Sequence, residues 1–348
     1  MSGVMTYSGI TTKIKAMEAK LLTDKDYETI AGMHGVVEVI EFLKGKPGYS
    51  RFIEQLDDSL YHRRHIEKVL VQSLYDDYTR VFRFAGFEQK KFMKFYIKGY
   101  EVDLINYCFR IVFNHYDWPF DLDYKKEFFD TYSQLSIEKL ETSTNIEELV
   151  ENLKGTEYYE PLKRVAQSPK ATLFDYDLAL DLYSFTNLWK MRKRTLKNKE
   201  LEYLTKDIGT VIDLMNLQWI YRAKKYYKLV APDIYSMTIP IQYHLKVDEF
   251  KALVEAPGVE EFVNQVANTY YAKKYHLDNT KTLEQLYKDS MVGLYMADRR
   301  RAPYSIASIN TYFFLKENEI DKLTTALECI RYGLSSRETL GYIGGVIH

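Results

Sequence analysis

Cysteine is nearly missing from the chain: two occur in 348 residues, Cys108 and Cys329. A disulfide framework and cysteine-rich zinc modules are thereby excluded. Each thiol lies within an apolar helical pattern, where cysteine packs as a small hydrophobe. Glycine and proline are also scarce, 16 and 8 respectively, which excludes collagen-like and low-complexity organisation and favours long regular elements. No apolar run approaches the roughly 20 residues that cross a bilayer, and the opening "MSGVMTYSGITTKIK" lacks the apolar core of a secretion signal. A cytoplasmic protein with no direct membrane span is expected. The formal net charge of -1 removes the overall attraction on which a dedicated nucleic-acid binder relies.

Catalytic signatures are missing too. No G-x-x-x-x-G-K-[ST] loop occurs, since "GKPGYSR" has its glycine and lysine in the wrong order, and neither H-E-x-x-H nor a paired C-x-x-C is found. His62 and His65 in "YHRRH" share a helix face at i and i+3. With no third ligand nearby and Arg63 and Arg64 beside them, they read as a solvated basic face rather than a metal site. "GYIGG" near the C-terminus follows no strand pattern and reads as a flexible tail rather than a phosphate loop. No catalytic, cofactor-binding or metal-binding residue is expected.

What is present is a repeat. "FLKGKPGYSRF" from Phe42 and "NLKGTEYYEPL" from Asn152 share Leu-Lys-Gly and a following tyrosine, 110 positions apart. The flanks keep that offset: Val36, Glu38, Val39, Ile40 and Glu41 match Ile146, Glu148, Leu149, Val150 and Glu151. Further along, "EVDLIN" (Glu101 to Asn106) returns as "VIDLMN" (Val211 to Asn216), again at 110. Two distant segments sharing one offset define a duplication. A fainter third copy, "GVEEFVNQVANTYYAKKY" from Gly258, puts Val259, Glu260, Glu261, Phe262, Val263 and Tyr271 each 113 positions after its counterpart. "LTDKDYETI" from Leu22, "LSIEKLETS" from Leu135 and "LKVDEFKAL" from Leu245 correspond as well. Near the end, "NEIDKL" sets Ile320 and Asp321 where Ile212 and Asp213 stood. Three homologous domains follow, residues 1–115, 116–230 and 231–348, each of ordinary domain length.

The apolar spacing inside each unit is helical. In "IEKVLVQSLYDDYTRVF", Ile66, Val69, Leu70, Leu74 and Tyr78 recur every three or four residues. Thr23 with Asp26 and Ser136 with Glu138 mark helix starts, while Gly45, Gly155 and Pro232 stand where apolar runs stop. The fold class is all-α. On their helices, Asp103, Asn106 and Arg110 share a polar face, with Asp213, Asn216 and Asp321 at matching positions. These residues either contact a partner or satisfy buried polar groups within the chain.

The threefold recurrence, the phrase "KKFMKFYIKGYEVDLIN" from Lys90 and the closing "INTYFFLKENEIDKLTTALECIRYGLSSRETLGYI" from Ile309 resemble the C subunits of archaeal and bacterial V/A-type ATPases, whose eukaryotic relatives are the d subunits of V-type ATPases. The resemblance spans essentially the whole chain and is marked most clearly by Leu22, Gly45, Asp103, Asn106, Asp213, Asn216, Glu317, Glu319, Leu323 and Arg331. Members often follow the last glutamate with Asn-Ile-Arg, where this chain has Asp321, Lys322 and Leu323. The resemblance implies a funnel-like, pseudo-threefold body of three helical domains, with no catalytic chemistry of its own. Such a body is peripheral at the cytosolic face of the membrane, in the central stalk of an ion-translocating rotary ATPase. Its implied partners are the rotor subunits of D and F type on one side and the proteolipid ring on the other.

Basic clusters remain. "KMRKR" from Lys190 and "DRRR" from Asp298 concentrate positive charge, suited to acidic partner loops or anionic headgroups. Arg299, Arg300 and Arg301 stand out because Pro303 fixes the chain after them. A reading of a different class, a free-standing helical scaffold or nucleic-acid binder, requires steeply salt-dependent binding to RNA or DNA. The role that the resemblance implies, a socket coupling the rotor shaft to the proteolipid ring, does not.

Overall fold

The computed structural model describes residues 3–56, 63–114, 120–276 and 282–344; its regular elements are all helical, with no strand among the described residues. Element order follows the sequence repeat. After α1 (Gly3–Glu18) come the short helices α2 (Asp24–Ala31), α3 (Val36–Lys44) and α4 (Ser50–Ile53), then two long ones, α5 (Arg63–Phe84) and α6 (Phe87–Phe113). A short α7 (Asp123–Tyr132) introduces the same series again: α8 (Ile137–Glu141), α9 (Ile146–Asn152), α10 (Tyr159–Ala166), α11 (Leu173–Thr195) and α12 (Asn198–Arg222). After a π-helical turn (Ala223–Tyr227), α13 (Ala231–Met237) leads into α14 (Val247–Glu255), α15 (Val259–Ala267), α16 (Tyr270–Tyr275), α17 (Leu283–Arg301) and α18 (Ile306–Arg331). The last helix is α19 (Ser336–Ile343).

The punctuation explains the boundaries. Thr23 and Asp26 form a reciprocal capping box at α2, and the Ser136 side chain accepts the Lys139 N–H at the start of α8. Gly45 closes α3, and Gly155 follows α9 with φ of +90°, a conformation comfortable only for glycine. Pro232 behaves differently from the sequence expectation. It sits in the first turn of α13, where a missing N–H costs nothing, so it opens a helix rather than marking the end of one. The "GYIGG" stretch also departs from the expected tail: Gly341 to Ile343 complete α19, with Thr339 and Ile343 buried. Its overlooked signal is Ser335-x-x-Glu338, a capping box.

By internal contacts the chain divides into two compact units, Met1–Lys90 with Tyr295–His348, and Lys91–Leu294. The first joins the two ends of the chain. Ile40, Leu43, Ile66 and Leu70 pack in one core with Leu323 and Leu327 of α18, and each fully buried aliphatic side chain contributes about 1.5–3 kcal/mol. α19 packs on α2 there, as α7 packs on α8 and α13 on α14 in the second unit. Likewise α18 packs on α3, as α12 packs on α15. The long helix that ends one repeat therefore covers the short helices of another, which interlocks the repeats.

Candidate functional site

The stretch after α3, α9 or α15 places a tyrosine in the interior in every copy: Tyr49, Tyr158 and Tyr271 are each nearly or wholly buried. A buried phenol needs an acceptor. Tyr49 donates to Glu319 Oε1 at 2.5 Å, Tyr158 to Glu101 Oε2 at 2.7 Å and Tyr271 to Asp213 Oδ2 at 2.8 Å. Each carboxylate projects from a long helix. It also accepts from the segment that enters a short helix, α2, α8 or α14. Glu319 Oε2 accepts the Leu22 N–H at 2.5 Å, and Glu101 Oε1 accepts the Ser133 hydroxyl at 2.6 Å and the Gln134 N–H at 3.4 Å. Asp213 accepts the N–H groups of Tyr243, His244 and Leu245 at 3.0, 2.6 and 3.1 Å. One buried carboxylate thus ties a long helix, an entry segment and a tyrosine together, and the tie is made three times. Burial and the adjacent carboxylate push all three tyrosine hydroxyls far above their ordinary value, so the proton stays on the phenol and the bond keeps its direction.

The copies differ in a way that the sequence carries. The first and third contain Glu-x-Asp, at Glu101 to Asp103 and Glu319 to Asp321, and the glutamate makes the tie; the second reads Val-Ile-Asp and uses Asp213. A fixed offset aligns Asp213 with Asp103 and so overlooks Glu101. Three positions before each tying carboxylate stands Lys98, Thr210 or Lys316. Lys316 is itself sealed at 2% exposure, 2.9 Å from Tyr49 Oη and 3.1 Å from Glu319 Oε1. Lys98 reaches both Glu101 at 2.9 Å and Glu157 at 2.5 Å. In the second copy Gly209 allows the close approach, because a Cβ there would lie 2.4 Å from a ring carbon of Tyr243.

The polar positions of the repeated helix separate into two groups. Asp213 and Asn216 are fully buried, and Asn216 bonds reciprocally with the Ile239 backbone, accepting its N–H at 2.8 Å and donating to its carbonyl at 3.0 Å. Asp103, Arg110 and Asp321 are exposed, whereas Asn106 is 8% exposed with its Oδ1 accepting no hydrogen bond among the described residues. Asn216→Leu is therefore expected to lower stability by about 2–4 kcal/mol, leaving a buried N–H and carbonyl unpaired. Asn106→Leu should leave the thermal midpoint nearly unchanged. Paired thermal melts check this contrast.

Asp103 and Arg110 meet α11 electrostatically. Burial, then the charges of Asp177 and Asp103, raise Asp181 to about 7, while burial opposed by Asp103 lowers Lys125 to about 8. Arg110 partly offsets the burial that raises Asp177. A carboxyl raised from 3.8 to about 7 holds its proton more tightly when folded, so its contribution to stability is lost as pH rises between those values. Asp181→Asn should accordingly match the parent near pH 4 and gain on it up to pH 7, levelling off at about 1–2 kcal/mol after allowance for solvent screening. Urea midpoints across this range check the sign.

Arg299 is bound to Glu18 at 2.7 Å, and Arg300 and Arg301 are exposed at the end of α17. Arg192 of the other basic run is buried, its guanidinium 3.3 Å from the Trp189 ring centroid and its Nε donating to Thr205 Oγ1 at 3.1 Å. Cys108 and Cys329 are buried and unbridged, and burial pushes the Cys108 thiol up to about 12. His62 lies outside the described residues. Among those described, no group of three His, Cys, Asp or Glu could hold a metal ion, and no helix is long and apolar enough to cross a membrane.

Residues 10–342 match the family model described as the ATP synthase (C/AC39) subunit. Among curated proteins, the chain is 25% identical over 344 residues to the C subunit of the A-type ATP synthase of Methanocaldococcus jannaschii, covering 92% of this chain and 82% of that protein. It is 26% identical over 338 residues to the corresponding protein of Desulfurococcus sp., covering 94% and 88%. With that of Thermococcus kodakarensis it shares 24% over 350 residues, covering 98% and 91%.

Proposed function

The chain belongs to the ATP synthase (C/AC39) subunit family, and on that premise we propose that it is a non-catalytic coupling subunit of a V/A-type rotary ATPase. It seats the rotor subunits of D and F type on one side and the proteolipid ring on the other, at the cytosolic face of the membrane. The observation that carries this reading is the family match over residues 10–342. The three buried carboxylate ties support it mechanically. An element that passes torque between two machines must not yield, and hydrogen bonds from a buried anion to backbone hold long helices against their neighbours in fixed register.

Three related domains, 1–115, 116–230 and 231–348, are retained in this reading. Asp103, Asn106, Arg110 and Asp321 are assigned to the rotor contact, and Arg299, Arg300 and Arg301 to the membrane sector. Asp213 and Asn216, sealed within their own unit, brace the helices that carry the contact. The test is co-elution of the chain with purified rotor subunits and detergent-solubilised ring. A complex containing all of them is expected, and Asn106→Leu with Arg110→Ala should lose the rotor and keep the ring. Failure to recover either partner with the parent chain contradicts the proposal.

A further inference from the structure

The turn between α5 and α6 is crowned by large apolar side chains: Phe84 is 59% exposed and Phe87 73%. α1 runs alongside within the same unit. The Thr6 carbonyl accepts from Gln89 Nε2 at 3.0 Å, and Lys13 Nζ lies 5.0 Å from the centroid of Phe84. Next to Thr6 stands Met5, 72% exposed. The turn between α17 and α18 reaches the same stretch of α1, where Thr11 Oγ1 donates to the Pro303 carbonyl at 3.2 Å; Tyr304 is 39% exposed there. Arg83, Arg300 and Arg301 are exposed on these two turns. Of the nearby acids, Glu18 is taken by Arg299 and Glu88 is exposed.

Apolar side chains at helix ends, interspersed with cations and with little opposing charge, match the chemistry of a membrane interface. An acidic protein loop satisfies the arginines but leaves Met5, Phe84 and Phe87 in water. A layer of anionic headgroups accepts both at once. The charge also recurs in the second unit, where Lys193, Arg194 and Lys197 are exposed on or beside the turn between α11 and α12.

We propose that this face of the first unit, α1 with the α5–α6 and α17–α18 turns, rests on an anionic lipid surface, with Phe84, Phe87 and Met5 entering the headgroup layer and Lys13, Arg83, Arg300 and Arg301 pairing with lipid phosphates. The inference rests on the assignment of the arginine turn to the membrane sector. It is tested on the isolated full chain, so its failure leaves the coupling role standing, and loss of coupling leaves a measured lipid affinity intact.

The experiment is flotation with sealed vesicles of phosphatidylcholine alone or of equal parts phosphatidylcholine and phosphatidylglycerol. Binding is expected only to the anionic vesicles, falling with salt. Phe84→Ser with Phe87→Ser should reduce it about tenfold or more, as should Arg300→Glu with Arg301→Glu. Tyr332→Ser with Tyr342→Ser, which removes exposed aromatics outside this face, should leave it unchanged, and circular dichroism checks that all variants remain helical. No flotation with anionic vesicles overturns the proposal, as does equal flotation of the variants and the parent. Capture by immobilised polyglutamate without flotation also overturns it, in favour of an acidic protein partner.

Discussion

Glu319→Leu will cost the chain about 3–5 kcal/mol of folding stability, because it leaves the Lys316 ammonium inside the first unit without its carboxylate. Lys316 is 2% exposed and has Tyr49 Oη and Glu319 Oε1 as close partners, while Glu319 also takes the Leu22 N–H. A domain holds roughly 5–15 kcal/mol in total, so a shift of this size is visible as a large fall in the urea midpoint. The cause is the stranded charge rather than lost volume. Lys316→Met with Tyr49→Phe in the same chain should therefore recover part of the loss, since it removes the stranded ammonium and phenol, while the Leu22 N–H stays without its acceptor and Asp77 loses the Lys316 charge that offsets its burial. A single variant within about 1 kcal/mol of the parent contradicts the account, and a triple variant no better than the single assigns the loss to packing. Glu101→Leu should cost less, because Lys98 retains Glu157 at 2.5 Å and is 20% exposed at its side chain.

The repeat was legible because it is written in apolar periodicity and in helix punctuation, which local physics determines. Ile66, Val69, Leu70 and Tyr78 line the core as their spacing requires, and the Thr23 and Ser136 caps start helices where expected. The ties were not legible as ties. The tyrosine after Leu-Lys-Gly and the acid on the long helix lie 57 positions apart in one copy and 270 in another, and no local rule links them. The 110-residue offset pointed to Asp103, while the bond is made by Glu101; only the recurrence of Glu-x-Asp in the first and third copies hinted at this. For Asp213 and Asn216, residue type and helix face left open a partner contact or internal satisfaction, and their complete burial decides for the interior. Pro232 misled because the same residue that cannot continue a helix is at ease in its first turn.

Loss of the chain should abolish ATP-driven ion movement altogether while hydrolysis continues. In the proposed role nothing in this chain touches nucleotide or ion, so its removal leaves both reactions chemically intact. What disappears is the connection between them. Substrate turnover in the head then proceeds against no load, and the ring has no shaft to turn it. A weakened chain should lie between these limits: Glu319→Leu, if it still assembles, should lower the ratio of ions moved to ATP hydrolysed to the extent that the destabilised chain slips on or releases a partner under load.

The most direct measurement follows both quantities in one preparation. Membrane sectors are sealed into vesicles, purified heads with rotor subunits are added with or without this chain, and ATP hydrolysis and ion uptake are recorded together. The coupling role requires uptake only when the chain is present, with hydrolysis in both cases. Full ATP-driven uptake in its absence would contradict that role.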